Sequence, residues 1–390
     1  MNAHLKGRRS VLISSVTACL VITAASVAVA ETTVPDTTVP DTTVPDTAAP
    51  ETAAPAPAPA ATAAPATTPP QFADGFGLTV VSQPEWVGDA GRTFRFSVAA
   101  EQVPTPTLLA EQEPGTHVIM VTLPEDYEAT STTRHPVLYS LHGGVDRPDT
   151  VTNLRIAEQS TQDTDLIVVH PNGSGRGWYT NWLNPGSLGP QNWADFHLDG
   201  VIPFIDANLR TIPTREGRSV IGHSMGGFGA FRYAQRRPDL FSYVGSMSGG
   251  LDLRSAEQRA VVVGSLVTQV GGLPTAGGDA IFGAPFWPYD AMWNAESPAH
   301  DVAALRGMGV AMYVGNGGNL LDNPVQALIE HRARETNLLA AAELTAAGIP
   351  FDFVDYGDGA DWAPGCTGKH AQEPCLQADL DHFVELVTQR

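Results

Sequence analysis

Six stretches of the chain are almost continuously apolar: 137–141, 166–169, 219–221, 243–247, 310–314 and 351–354. Runs of that length without alternation predict strands buried on both faces, as in a parallel sheet. Three earlier stretches, 78–81, 94–98 and 117–123, alternate apolar with polar residues and predict antiparallel strands at the leading edge of the same sheet. Between them the apolar spacing turns helical, with helices predicted over 193–209, 324–347 closed by Gly348, and 376–389. The expected fold is α/β, with a mostly parallel central sheet, antiparallel leading strands and helices on both faces.

The pattern covers only 71–390. Lys6, Arg8 and Arg9 precede an apolar run that closes in Ala28-Val29-Ala30, so residues 1–30 read as a signal peptide or an uncleaved anchor. Residues 31–70 repeat Thr-Thr-Val-Pro-Asp from Thr32, Thr37 and Thr42 and then decay into Ala, Pro and Thr. Proline removes amide donors and too little apolar surface is present to build a core, so this segment reads as a disordered stalk. Beyond the leader the cysteines are Cys366 and Cys375, which an exported chain would join as a disulfide. His370 between them supplies too few ligands for a closed zinc site, and no metal or cofactor is expected. A net charge of −20 with 16% charged residues disfavours nucleic acid as a partner. The chain is thus expected to be secreted or held at the cell envelope, with no transmembrane segment beyond the leader; nothing in it sets an oligomeric state.

The strand at 219–221 runs into Gly222-His223-Ser224-Met225-Gly226. G-x-S-x-G marks a strand that turns sharply into a helix and lifts a strained serine out at the carboxyl end of the sheet. A serine hydroxyl needs a base to take its proton and an acid to orient that base, in chain order serine, acid, histidine. Beyond residue 354 the histidines are His370 and His382. His382 falls on the polar face of the last predicted helix and is expected at the surface. His370 lies in the preceding loop, where the base belongs. Spacing favours Asp322, just after the strand at 310–314, as the acid. The oxyanion amides are expected from Met225, which follows the serine, and from Gly144 in Leu141-His142-Gly143-Gly144. His142 and His223, beside those donors, are expected at the substrate.

These pieces resemble the esterase branch of the α/β hydrolases, including the esterase D-like serine esterases and most of all the antigen 85 mycolyltransferases. The resemblance rests on Leu141-His-Gly-Gly144, Gly177-Trp-Tyr-Thr-Asn-Trp182, Gly222-His-Ser-Met-Gly-Gly227, Tyr313-Val-Gly-Asn-Gly317, Leu328-Ile-Glu330 with Thr336-Asn-Leu338, and Gly368-Lys-His370. It implies an α/β-hydrolase fold and moves the acid to Glu330, with Asp322 as runner-up. It also implies that Trp178, Tyr179 and Trp182 stand near the cleft entrance. A second aromatic cluster, Phe286 to Trp293, reads as a lid or as core covering. Two departures matter: Asp361 stands where the transferases carry histidine, and an insertion with both cysteines precedes His370. Three functions follow: a serine esterase working through an acyl-enzyme on an ester or acyl-lipid; an acyltransferase passing the acyl group to a sugar or glycerol hydroxyl; and, if His370 cannot reach Ser224, an inactive envelope binding protein.

Overall fold

The apolar runs at 137–141, 166–169, 219–221, 243–247 and 310–314 form strands buried along nearly their whole length, because helices cover both faces, whereas the run at 351–354 forms an edge strand with no fully buried residue. In the computed structural model residues 68–104, 115–128, 131–268 and 275–389 are described. The leader and residues 31–67 of the stalk lie outside the described residues.

Three strands lead: β1 (Leu78–Val87), β2 (Thr93–Ala100) and β3 (His117–Thr122), paired antiparallel. There follow β4 (Val137–Leu141), α1 (Val151–Ser160), β5 (Ile167–Pro171), the short helices α2 (Trp193–Asp195) and α3 (Ile202–Asn208), β6 (Arg218–His223) and α4 (Met225–Arg236). The chain closes with β7 (Tyr243–Met247), α5 (Ala256–Val267), α6 (Ala291–Ala295), β8 (Gly309–Gly315), α7 (Pro324–Ala346), β9 (Asp352–Gly357) and α8 (Glu373–Thr388). The nine strands stand in the order β1-β2-β3-β5-β4-β6-β7-β8-β9, with β4 through β9 parallel.

Successive residues of the central strands go to opposite cores. Val137, Tyr139 and Leu141 pack with α3 and α4 on one face, while Leu138 packs with α1 and α8 on the other. Val220 and Ile221 divide in the same way, as do Met312 and Tyr313. The strand order reverses at β4, which lies between β5 and β6, so the crevice for a ligand opens at the carboxyl ends of β4 and β6. Ser224 stands directly after β6.

A helix differs from expectation as well. The helix predicted over 193–209 is broken by a wide turn, Phe196–Val201, between α2 and α3. Pro203 has no amide to donate to the carbonyl four residues back, so the ladder widens there. Among the described residues no helix is long and apolar enough to cross a membrane.

Candidate active site

The elbow is imposed by close approach. Ser224 sits at φ 55° and ψ −115°, between the end of β6 and the start of α4, and its amide donates to the Met247 carbonyl at 2.8 Å. A Cβ on Gly226 would run into the carbonyl oxygen of Leu141, and one on Gly222 into the backbone of Gly226. Both glycines are therefore required for β4, β6 and α4 to meet, and that meeting turns the serine outward.

The other two groups converge on it. His370 Nε2 lies 2.9 Å from Ser224 Oγ, and His370 Nδ1 lies 2.7 Å from Glu330 Oε2. Glu330 is fully buried, and its Oε1 accepts from Ser248 Oγ and from the Gly315 amide, each at 2.7 Å. A carboxylate only accepts, so Nδ1 carries the imidazole proton and Nε2 is left as the acceptor for the serine hydroxyl. Asp322 is instead an exposed partner of Lys369, whose Nζ is 3.3 Å away. The geometry thus joins Glu330, the acid implied by the family pattern, to His370, and not Asp322, the acid favoured by spacing.

His370 is carried by the loop between β9 and α8. Cys366 and Cys375 are joined as a disulfide that ties this loop to α8. The Gly317 amide donates to Gly368 O at 2.8 Å, and the His370 amide to Gln326 O at 3.4 Å. Gln372 Oε1 accepts from the amide and hydroxyl of Thr367, both at 2.9 Å. The insertion that carries both cysteines therefore leaves the His370 imidazole in reach of the Ser224 hydroxyl.

The residues expected at the substrate divide. Met225 is the first residue of α4, where an amide has no intrahelical acceptor. Among the described residues neither its amide nor that of Gly144 has a protein acceptor. His142 is used up internally: its Nε2 accepts from the Gly173 amide at 2.9 Å, so its Nδ1 donates to Gly143 O at 2.9 Å. Burial lowers its pKa and keeps it neutral, and it shapes the loop. His223 lies alongside His370, ring centres 4.9 Å apart, with its buried Nε2 unpartnered. Burial first, and then the neighbouring His370 and His142, hold its pKa well below the usual imidazole value. It therefore stays neutral beside His370.

Trp178, Tyr179 and Trp182 are not at a cleft entrance; they are buried in the core. Tyr179 reaches under the glycine loop and donates its hydroxyl to His142 O at 2.9 Å. Gly173 and Gly229 give it room, since a Cβ on either would strike its ring. Trp178 and Tyr179 both hold positive φ, 51° and 47°, a conformation that costs ~1–3 kcal/mol each in residues other than glycine. The second aromatic cluster splits as well: Trp293 is buried, whereas Phe286, Trp287 and Tyr289 are exposed. His382 is a further correction, because its Nδ1 meets the Tyr313 hydroxyl at 3.0 Å and its ring packs edge-on against Trp362.

Ser248 was not anticipated. At φ 53° it closes β7, its amide donates to Tyr313 O at 2.8 Å and its hydroxyl fixes Glu330. The run Met247-Ser248-Gly249-Gly250 at a strand's carboxyl end was the available signal.

The Putative esterase family pattern matches residues 114–373. The chain belongs to that family. Esterase Rv1288 of Mycobacterium tuberculosis is 31% identical over 324 residues, 80% of this chain and 62% of that protein, so the chain spans less than two thirds of its length. Diacylglycerol acyltransferase/mycolyltransferase Ag85A of Mycobacterium leprae is 31% identical over 206 residues, 49% of this chain and 59% of that protein. Among solved structures, an S-formylglutathione hydrolase from Agrobacterium tumefaciens superposes with a TM-score of 0.56 at 16% identity, covering 80% of this chain and 99% of that one. MPT51 of Mycobacterium tuberculosis gives 0.53 at 20% identity, covering 73% and 98%. At such identities the likeness is one of fold, the α/β-hydrolase fold.

Proposed function

We propose that the chain is a serine esterase, secreted or held at the cell envelope, that cleaves carboxylic esters through an acyl-enzyme. The observation that carries the reading is the unbroken hydrogen-bonded line Ser224–His370–Glu330, 2.9 Å and 2.7 Å long. In this reading Ser224 Oγ attacks the ester carbonyl carbon while its proton passes to His370 Nε2. Glu330 holds the imidazolium, and the amides of Met225 and Gly144 receive the developing oxyanion. As the tetrahedral centre collapses, the ester C–O bond breaks and the leaving alcohol takes the proton from Nε2. Water, activated by the same imidazole, then releases the acid.

A second reading, transfer of the acyl group to a sugar or glycerol hydroxyl, is favoured by the likeness to a protein named for diacylglycerol acyltransferase and mycolyltransferase activity. It shares the acylation half and differs only in which hydroxyl enters. The inactive reading required His370 out of reach of Ser224, and the distance between them speaks against it. The experiment is turnover of a soluble p-nitrophenyl ester by the intact chain with and without trehalose or glycerol. Loss of turnover in Ser224→Ala is expected; transesterified product in preference to free acid moves the reading to transferase, and unchanged turnover in Ser224→Ala overturns both.

A further inference from the structure

One buried acid stands outside the line Ser224–His370–Glu330. Asp379, in α8, is fully buried; its Oδ1 accepts from Trp362 Nε1 at 2.9 Å, and its Oδ2 has no hydrogen-bond partner. Among the described residues no cation pairs with it. The titratable groups nearest to it are Glu330 of α7, Tyr313 of β8 and Tyr356 of β9, none of which carries a positive charge. His382, one turn further along α8, meets the Tyr313 hydroxyl at 3.0 Å. A buried carboxylate without a cation costs far more than the neutral acid. Burial accordingly pushes the Asp379 carboxyl well above the usual range, with the Trp362 bond offsetting part of the effect and Glu330 adding to it.

Trp362 belongs to the loop between β9 and α8, the loop that carries His370. Its amide donates to Gly359 O at 3.0 Å and the Cys366 amide to Ala363 O at 3.0 Å, so two successive turns run from the indole to the cysteine just before His370. Cys375 and Asp379 lie one turn apart on one face of α8, at spacing i, i+4. The first holds Cys366 by a covalent bond and the second holds Trp362 by a hydrogen bond. The indole is also walled in by rings: it stacks on Tyr356, centres 5.9 Å and planes 2° apart, and His382 packs edge-on against it. An apolar side chain at position 379 would remove the cost of a half-satisfied acid, but it would leave the indole N–H without an acceptor.

We propose that Asp379 is a positioning residue for the reaction at Ser224: held as an uncharged acid, it anchors Trp362 and thereby fixes the loop that presents His370. The inference rests on the reading of His370 as the base. A neutral acid meets two needs at once. It gives the indole an acceptor inside an aromatic wall, and it leaves Glu330 as the single negative charge behind the imidazole. What the loop takes from this position is an acceptor, not a charge. Asparagine supplies the acceptor and leucine does not.

The test sets the intact chain beside Asp379→Asn, Asp379→Leu, Trp362→Phe and the double variant Asp379→Leu/Trp362→Phe. On a soluble p-nitrophenyl ester, Asp379→Asn should keep kcat within about twofold, whereas Asp379→Leu and Trp362→Phe should each lose roughly tenfold in kcat with KM within about twofold, as when a reacting group is held less well. The double variant should lose no more than either single one, because each removes the same bond. From about pH 5 to about pH 7.5 the melting temperature of Asp379→Asn should gain on that of the parent, since the unfolded parent has released a proton that the folded parent keeps. Amide hydrogen exchange over residues 358–372 should quicken in Asp379→Leu and Trp362→Phe and stay at the parent's rate in Asp379→Asn. Where Asp379→Leu does not fold, Trp362→Phe decides. Equal losses in Asp379→Asn and Asp379→Leu overturn the proposal, because the charge would then be what the loop needs. So do parental kcat and exchange in Trp362→Phe, and so do losses that add in the double variant. A parent without turnover would strike the esterase reading instead, and the exchange rates would still decide the anchor.

Discussion

The elbow and the base loop bring their side chains to the same hydrogen bond by opposite means. At the elbow the geometry is local: Gly222 and Gly226 admit the backbone of their neighbours, and Ser224 is left with a single way to face. The base loop has no such enforcement. It is held by contacts far apart in sequence: the disulfide to α8, Gly368 against β8, and the His370 amide on Gln326 of α7. A side chain fixed by sterics tolerates little change but depends on little else. A side chain fixed by tethers depends on each of them.

The largest expected effect lies at the elbow itself. Ser224→Ala should lower kcat for a p-nitrophenyl ester by roughly 10⁴-fold or more while leaving the melting temperature within a few degrees, measured by steady-state kinetics and calorimetry.

Next comes the acid. Glu330→Gln keeps the volume but presents an amide to His370 Nδ1, which forces the proton onto Nε2 and leaves the serine without an acceptor; kcat should fall by about 10³–10⁴-fold. Asp322→Asn should stay within about twofold, since it breaks only an ion pair whose carboxylate is exposed. Loss in the second with retention in the first would reassign the acid.

Replacing both Cys366 and Cys375 by serine, or reducing the bond, should affect the base loop alone. A closed loop of this size, a separation of nine residues, is worth about 2–3 kcal/mol by chain entropy. The expected outcome is a melting temperature lower by several degrees and kcat reduced roughly tenfold, a scale set by misplacement of a catalytic group. Labelling of Ser224 by a fluorophosphonate in the reduced enzyme should slow by the same factor.

The mildest effect at neutral pH, acid sensitivity, belongs to the side of the elbow. Burial lowers the pKa of His117 to about 4 and of His170 and His197 to about 3, each kept neutral in the native state. Unfolded histidine titrates near 6.5, so the unfolded chain binds protons first. Their contribution to stability is whole above about pH 6.5 and is lost as pH falls towards 4 and then 3, by up to roughly 1.4 kcal/mol per pH unit for each. Denaturant melts at pH 7.5, 5.5 and 4.5 should show this slope, and His197→Gln should flatten it. His197 Nε2–H donates to Asn172 O at 3.0 Å beneath the glycine loop, so acid should loosen the oxyanion side before the base loop.

What the sequence revealed follows the same division. The limits of β4 and β7 and the whole elbow could be read directly, because apolar runs and paired glycines are local signals. The partner of His370 could not be read from spacing: Asp322 occupies the expected loop, but only the folded chain reveals that Lys369 pairs with it and that α7 turns Glu330 inward to the imidazole. Trp178, Tyr179 and Trp182 were expected near the cleft entrance, yet all three are buried, and two of them take a positive φ although neither is glycine. Ser248 was hidden for a similar reason, since its role depends on the residue after β7 reaching Glu330 of α7.

The central claim is that His370 takes the proton from Ser224. Its most direct test is the pre-steady-state burst of p-nitrophenol from a p-nitrophenyl ester, followed in the parent chain and in His370→Ala. One equivalent of burst per chain that vanishes in His370→Ala is predicted; a burst of undiminished rate and amplitude in that variant would contradict the account.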